Sequence, residues 1–223
     1  MASREFLTQA YLAYFGRPVD FGGLQYWASK SEDEIIAGFS ASNESKALYG
    51  ADFGVQQINA IYNTLFGRDA EPAGLTYWLN KVYSGELAPL EVALGIMEGA
   101  ANADKVAIEN KLAASEMFTD SLDTTAEILA YNGAAASQAA RSFLFGITAT
   151  PATQAAVDAA LQGIVSGGTG SVNTISLTVG QDILSGTGGV DVFKANVAQN
   201  QNGYQVNTLG SGDELNGGAG YAP

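Results

Sequence analysis

The sequence predicts a mainly α-helical protein, a multi-helix N-terminal domain with an internal repeat followed by a short β-rich segment. Residues 1–165 are rich in Ala, Leu, Glu and Lys, with apolar residues at the three- and four-residue spacing that is typical of helices. One motif in this part occurs twice, 51 positions apart. From residue 172 onward, apolar and small polar residues alternate among many glycines, which indicates strands and turns. We therefore divide the chain into an all-helical domain at 1–165, a Gly/Ser/Thr linker at 166–171 and a β-rich region at 172–223.

The repeat copies lie at about residues 8–48 and 58–118. Each begins with a helix that should end at a glycine, because glycine adopts the left-handed conformation that closes a helix. An acidic residue then precedes a second helix, where it favours the positive end of the dipole, and a leucine and a tryptophan three positions apart share one face of that helix. The matching pairs are Gly16 and Gly67, Asp20 and Glu71, Leu24 and Leu75, and Trp27 and Trp78.

Later helices follow from start signals and periodicity. Ser31 and Glu34 form a Ser-x-x-Glu capping box before an apolar run, which predicts a third helix in the first copy. The second copy begins its equivalent helix at Pro89 without the serine. Beyond the repeats we expect three extra helices within 119–165, near residues 126–131, 137–144 and 153–165.

The composition excludes several function classes. The chain has no cysteine and no histidine, which excludes disulfides, the usual zinc sites and histidine-based acid–base chemistry. We find no nucleophile–base pair and no phosphate-binding loop, so we expect no enzymatic activity. The net charge of −13 disfavours nucleic acid as a partner and favours divalent cations. No apolar run is long enough for a transmembrane segment.

The repeated basic and aromatic side chains are candidates for a glycan-binding site, because sugar rings stack on aromatic faces while arginine donates to hydroxyls. A structural role is the alternative: the arginines would bond to carbonyls or to the nearby acid, and the tryptophans would pack under the turn. The sequence leaves both open. The candidates are Arg17, Tyr26, Trp27, Arg68, Tyr77 and Trp78.

At these residues the chain resembles a family of helical domains of uncharacterised function in bacterial surface proteins, with a signature close to L-x-G-R-x-x-D-x-x-G-L-x-Y-W. The Gly-Arg and Asp-x-x-Gly pattern is also similar to that of phycobilisome linker domains. The resemblance covers roughly residues 8–118 and includes imperfect copies of a closing Ser-Glu-Phe triplet at 42–44 and 115–118. It implies a helical fold rather than a particular activity.

The C-terminal region resembles the calcium-binding nonapeptide repeat of RTX proteins, G-G-x-G-x-D-x-(apolar)-x, at residues 180–193 and 210–221. The resemblance implies bound Ca²⁺, held by turn carbonyls and aspartate carboxylates. The doubled glycine is interrupted at 186–189 and Ala222 replaces an expected aspartate, so glycine-rich hairpins without metal are the alternative. The implied metal positions are Asp182, Gly186, Gly188, Asp191, Asp213 and Gly218.

A helical domain followed by RTX-like repeats resembles the surface-layer proteins of Gram-negative bacteria that leave by type I secretion. That resemblance implies self-assembly into a lattice, anchored when the helical domain binds lipopolysaccharide with the help of calcium. It also implies an extracellular location on the outer membrane. The N-terminus lacks the features of a signal peptide, which agrees with such export. The alternatives are an RTX adhesin or biofilm-matrix protein, and a non-catalytic module of a secreted RTX enzyme.

Overall fold

The computed structural model describes residues 1–168, 173–185, 191–200 and 202–216. Within these ranges the chain is mainly helical with a few short C-terminal strands, as predicted, and none of the described helices is long and apolar enough to cross a membrane. The helices are α1 Arg4–Phe15, α2 Phe21–Trp27, α3 Glu32–Ala41, α4 Asn43–Tyr49, α5 Val55–Phe66, α6 Pro72–Tyr83, a 3₁₀ turn Pro89–Glu91, α7 Val92–Glu98, α8 Asn102–Asp120, α9 Thr125–Ala130, α10 Gly133–Phe145 and α11 Gln154–Gly168. The strands are β1 Asn173–Ser176, β2 Ile183–Ser185, β3 Asp191–Lys194, β4 Val197–Gln199, β5 Gln205–Asn207 and β6 Glu214–Asn216.

The internal repeat becomes a four-helix unit that occurs twice, as α1–α4 and as α5–α8. Gly16 ends α1 with φ of 63° and Gly67 ends α5 with φ of 74°, which confirms both predicted glycine stops. The capping box of Ser31 and Glu34 is formed at the start of α3, also as predicted. In each unit a glycine-closed helix therefore leads through a Gly-Arg turn into three further helices.

Helix α1 lies at the centre of the main hydrophobic core, where it contacts α3, α7 and α8. Both of its flanks are buried, because consecutive residues from Ala10 to Phe15 are all apolar or aromatic. A second, smaller core forms where α9, α10 and α11 pack on the C-terminal half of α8 around Phe118 and Leu161. The three extra helices predicted within 119–165 are thus present, and they pack back onto the last helix of the repeats.

Helix α11 extends to Gly168, three residues past its predicted end and into the segment predicted as linker. Beyond it, β1 pairs in parallel with β3 so that Asn173 lies opposite Asp191, 18 positions along the chain. That offset equals two nine-residue units. Strand β2 pairs in parallel with β6 at a larger offset, because the antiparallel hairpin β4–β5 lies between them in the sequence. The described strands thus form two parallel pairs and one antiparallel hairpin.

Candidate functional site in the repeated turns

The first Gly-Arg turn is organised around a buried guanidinium. The Arg17 side chain is 9% exposed. Its Nε and Nη2 donate to the two carboxylate oxygens of Glu44 at 2.7 and 2.9 Å, a bidentate pair. Its Nη1 donates to Asp20 Oδ2 at 3.0 Å and to the hydroxyl of Tyr131 at 3.4 Å. All three nitrogens of Arg17 are therefore engaged by the protein itself, which favours the structural role.

Residues outside the repeat close this turn. Tyr131 follows α9, and its hydroxyl donates to the Pro18 carbonyl at 2.7 Å. Burial raises the pKa of Tyr131 to about 12. Arg141 on α10 donates from Nε to the Phe15 carbonyl at 2.8 Å and from Nη2 to Glu44 Oε1. Glu44 thus joins two arginines from distant parts of the chain.

The second Gly-Arg turn repeats this pattern in a more exposed form. Arg68 donates from Nη1 to Glu71 at 2.6 Å and from Nη2 to Asp104 at 2.6 Å, and its side chain is 37% exposed. Asp104 lies in the first turn of α8, as Glu44 lies in the first turn of α4. In the described part of the chain, no ring takes the place at Arg68 that Tyr131 takes at the first turn. The extra helices thus bury the arginine of the first turn, whereas Arg68 in the second turn stays more exposed.

The tryptophans pack against glycines of the following helices. The edge of Trp27 lies so close to Gly38 that a Cβ there would be 2.5 Å from Cη2. Trp78 packs in the same way on Gly95 and donates from Nε1 to the hydroxyl of Tyr62 at 3.1 Å. Trp78 is buried and Trp27 half-buried, so their geometry favours structural roles.

A second pair of close contacts accounts for the glycine of the Gly-Leu-x-Tyr-Trp motif. A Cβ on Gly23 would lie 1.9 Å from the hydroxyl oxygen of Tyr11. A Cβ on Gly74 would lie 3.0 Å from the hydroxyl oxygen of Tyr62. The first helix of each unit therefore places its tyrosine against the second helix, and only glycine leaves room for it in the first copy.

The tyrosines of the motif remain available to solvent. Tyr26 is 62% exposed and Tyr77 is 51% exposed. Each ring packs edge-on against the neighbouring tryptophan, with centroids 4.8 and 4.9 Å apart. Lys30 Nζ lies 5.7 Å from the Tyr26 centroid, and Lys81 Nζ lies 5.4 Å from the Tyr77 centroid. We call these two equivalent pairs, Tyr26 with Lys30 and Tyr77 with Lys81, the tyrosine–lysine platforms.

The predicted metal positions lie in the β-rich region. The Asp182 carboxylate accepts the Thr178 backbone N–H at 2.8 Å and the Thr178 hydroxyl at 3.0 Å. Asp213 accepts the backbone N–H groups of Gly210 at 2.7 Å and of Asp182 at 2.9 Å, and these bonds hold its pKa below the usual range. Both carboxylates therefore fix turns. Three other predicted positions lie outside the described residues, and only the backbone of the fourth is described; these are Gly186, Gly188, Gly218 and, for the backbone, Asp191.

In the described ranges, no three acidic side chains are grouped closely enough to hold a metal ion. The Ca²⁺ site implied by the resemblance therefore stays a prediction for this chain. Its remaining oxygen ligands would have to include turn carbonyls, since calcium takes six to eight oxygens.

Sequence reasoning missed three residues of the first turn, Glu44, Tyr131 and Arg141. Only Glu44 had a signal, because it closes the imperfect triplet at residues 42–44. Tyr131 and Arg141 lie more than a hundred positions from the groups that they bond in this turn, Pro18 and Phe15.

Comparison with known proteins identifies one similarity. Residues 36–106 match the family described as a domain of unknown function, DUF4214. This stretch begins within α3 and ends within α8, so it contains the second Gly-Arg turn and the second platform. No curated protein and no solved structure matches the chain. Over about a third of its length, the protein is thus similar to a family of domains whose function is unknown.

Proposed function

We propose that the helical domain is a non-enzymatic attachment module of a bacterial surface-layer protein, holding the lattice to the outer membrane by binding lipopolysaccharide glycan. The observation that carries this proposal is the pair of tyrosine–lysine platforms. Each offers an exposed aromatic ring that is braced from behind by tryptophan. A braced ring loses little conformational entropy when a sugar stacks on it. Each adjacent ammonium also pairs with a glutamate, Lys30 with Glu34 and Lys81 with Glu86, and keeps further N–H groups that would donate to sugar hydroxyls.

The duplication supports a polymeric ligand. One stacked sugar contributes weakly, but two equivalent platforms on one chain bind a repeating polysaccharide with avidity. In a lattice, many copies of the domain would face the same cell surface. A repeated glycan therefore fits the repeated platforms better than a single small molecule does.

Calcium would assist attachment and assembly. The chain has a net charge of −13, so it repels an anionic cell surface unless cations bridge the two. The β1–β3 offset of 18 positions fits two nonapeptide units per coil, which supports an RTX-like region in this chain. Such a region agrees with type I secretion and with an extracellular location.

The experiment is retention of the whole chain on purified lipopolysaccharide, with calcium and with chelator. We expect the double variant Tyr26→Ala/Tyr77→Ala to lose retention by about tenfold or more, since stacking of a sugar on an aromatic ring contributes about 1 kcal/mol per ring and both rings act together. Tyr83→Ala is the matched control, because Tyr83 is 73% exposed on α6 but belongs to neither platform.

The outcomes separate the parts of the proposal. Failure of the wild-type chain to bind would rule out attachment to lipopolysaccharide, whereas equal loss in the control would rule out the platforms as its site. Retention that chelator leaves unchanged would remove calcium from the mechanism. Growth of two-dimensional crystals by the protein would distinguish a lattice protein from an adhesin.

A further inference from the structure

A groove of about 610 Å³ lies between α4 and α10, beside the buried Arg17 cluster. This volume is within the range of ligand pockets, about 300–1,000 Å³. Leu48 contributes an apolar wall from α4, while α10 contributes Ser137, Gln138 and Arg141. Past Asn132 the groove meets a second hollow of about 260 Å³, which borders the exposed ring of Phe21. The two hollows share Arg17, Asn132, Gly133 and Ser137 in their linings, so they adjoin one another.

The groove holds hydrogen-bonding groups that the protein does not use. In the described part of the chain, the side chains of Asn132, Ser137 and Gln138 make no hydrogen bond to protein, although each lines the groove. Arg141 donates from Nε to the Phe15 carbonyl and from Nη2 to Glu44. Its Nη1 has no acceptor among the described residues. An amide, a hydroxyl and a guanidinium edge therefore converge on the same space from one helix.

The charge of the groove differs from that of the chain as a whole. Four charged side chains line the two hollows, namely Arg17, Arg141, Asp20 and Glu44. The two acids are already paired with Arg17, and Glu44 also accepts from Arg141. In a chain of net charge −13, this balanced cluster leaves a donor-rich region that can accept an anion.

We propose that the α4–α10 groove binds an acidic sugar, a hydroxylated ring that carries a carboxylate. The carboxylate would lie on the free edge of Arg141, because a guanidinium recognises planar carboxylates through paired hydrogen bonds. Ser137, Gln138 and Asn132 would bond ring hydroxyls, and Phe21 would stack on a neighbouring sugar unit. The groove is separate from the tyrosine–lysine platforms, and it rests on the proposed function only for the surface glycan as the source of the sugar.

The test is a titration of the ¹⁵N-labelled whole chain with glucuronate, followed by the backbone amide signals of α4 and α10. Glucose and inorganic phosphate serve as separate probes. We expect glucuronate to shift these signals and glucose to bind about tenfold or more weakly, since a charge-assisted pair contributes about 1.5–3 kcal/mol. Glucose binding equal to that of glucuronate, or phosphate binding as tight, would overturn the assignment to an acidic sugar.

Variants locate the site. Ser137→Ala/Gln138→Ala should weaken glucuronate binding by about fivefold or more while the urea midpoint stays unchanged, because neither side chain bonds to protein. Ser142→Ala is the control, since Ser142 is exposed on the same helix outside the groove. Arg141→Lys keeps the charge but loses the planar fork, and it should also weaken binding. Equal affinities for wild type and both groove variants would overturn the proposal.

Failure of this inference is distinguishable from failure of the proposed function. If glucuronate does not shift the amide signals of α4 and α10 while lipopolysaccharide retention still depends on the two platform tyrosines, the groove proposal is wrong and the attachment proposal is supported. If glucuronate binds in the groove but the chain does not bind lipopolysaccharide, attachment falls and the groove stands.

Discussion

Glu44 and Asp104 hold equivalent places in the two repeats, and their substitution compares the same contact at two depths of burial. Each carboxylate lies in the first turn of the fourth helix of its unit and accepts from the arginine of the Gly-Arg turn. Their helix-dipole contributions are similar and largely cancel in the comparison. What differs is the arginine: the Arg17 side chain is 9% exposed and that of Arg68 is 37% exposed.

The structure sets the expected magnitudes. Removing one partner of a buried ion pair costs about 3–5 kcal/mol, because the other charge is left buried and unpaired. Arg17 keeps Asp20, and Glu44 is 28% exposed, so we expect Glu44→Ala to lower the free energy of unfolding by about 3 kcal/mol. Arg68 keeps Glu71 and is open to water, so Asp104→Ala should cost less than about 1 kcal/mol.

The assay is urea unfolding of the whole chain at pH 7, followed by circular dichroism. With a slope of about 2 kcal/mol per M, the midpoint should fall by about 1.5 M for Glu44→Ala and by less than about 0.5 M for Asp104→Ala. Similar losses for both variants would refute the argument that burial of the first turn sets its energetic importance. A loss below about 1 kcal/mol for Glu44→Ala would refute the role of Glu44 as the joint between Arg17 and Arg141.

Two further predictions concern the core. Gly23→Ala should lower the free energy of unfolding by about 2 kcal/mol, because its Cβ would overlap the Tyr11 hydroxyl. Gly74→Ala would place its Cβ 3.0 Å from the Tyr62 hydroxyl oxygen, so the change should be near zero once alanine's better helix propensity is included. The melting temperatures of the two variants test this prediction, and equal decreases for both would contradict it. Lys111 is buried against the end of α10, and burial lowers its pKa to about 8. Between pH 8 and 10 the unfolded chain keeps the proton that the folded chain loses, so wild-type stability should rise by up to about 1.4 kcal/mol per pH unit from this group. The urea midpoint of Lys111→Met should lack this rise between pH 7.5 and pH 9. The same change with pH in the variant and in wild type would contradict the lowered pKa of Lys111.

Much of the local structure followed from short-range patterns. The glycine stops at Gly16 and Gly67 and the capping box at Ser31 each depend on groups within one helical turn, so the residue types alone indicated them. The nearby acids, Asp20 and Glu71, were expected as arginine partners, but the second and more distant acid that each arginine binds was not. Glu44 lies 27 positions after Arg17, but Asp104 lies 36 positions after Arg68, so the two pairs differ in spacing and the 51-position offset of the repeat does not reveal them.

The sequence pattern also did not predict which member of each Tyr-Trp pair is exposed. Adjacent residues of a helix point about 100° apart, so one of each pair turns inward, but both types suit a core or a sugar site. The choice is made by Gly38 and Gly95, which lack a side chain and admit the tryptophan ring. These glycines lie on the next helix of each unit, where no local rule connects them to the motif.

The sequence by itself determined a mainly helical chain, the duplicated unit and the positions of its turns, because helix periods, caps and glycine stops act over a few residues. Tertiary structure decided which copies of the repeated side chains remain available. Helices α9 and α10 fold back over the first Gly-Arg turn, bury Arg17 beneath Tyr131 and create the α4–α10 groove, while Arg68 stays open. Two nearly identical motifs thus acquire different roles, since burial depends on what packs against them from distant parts of the chain.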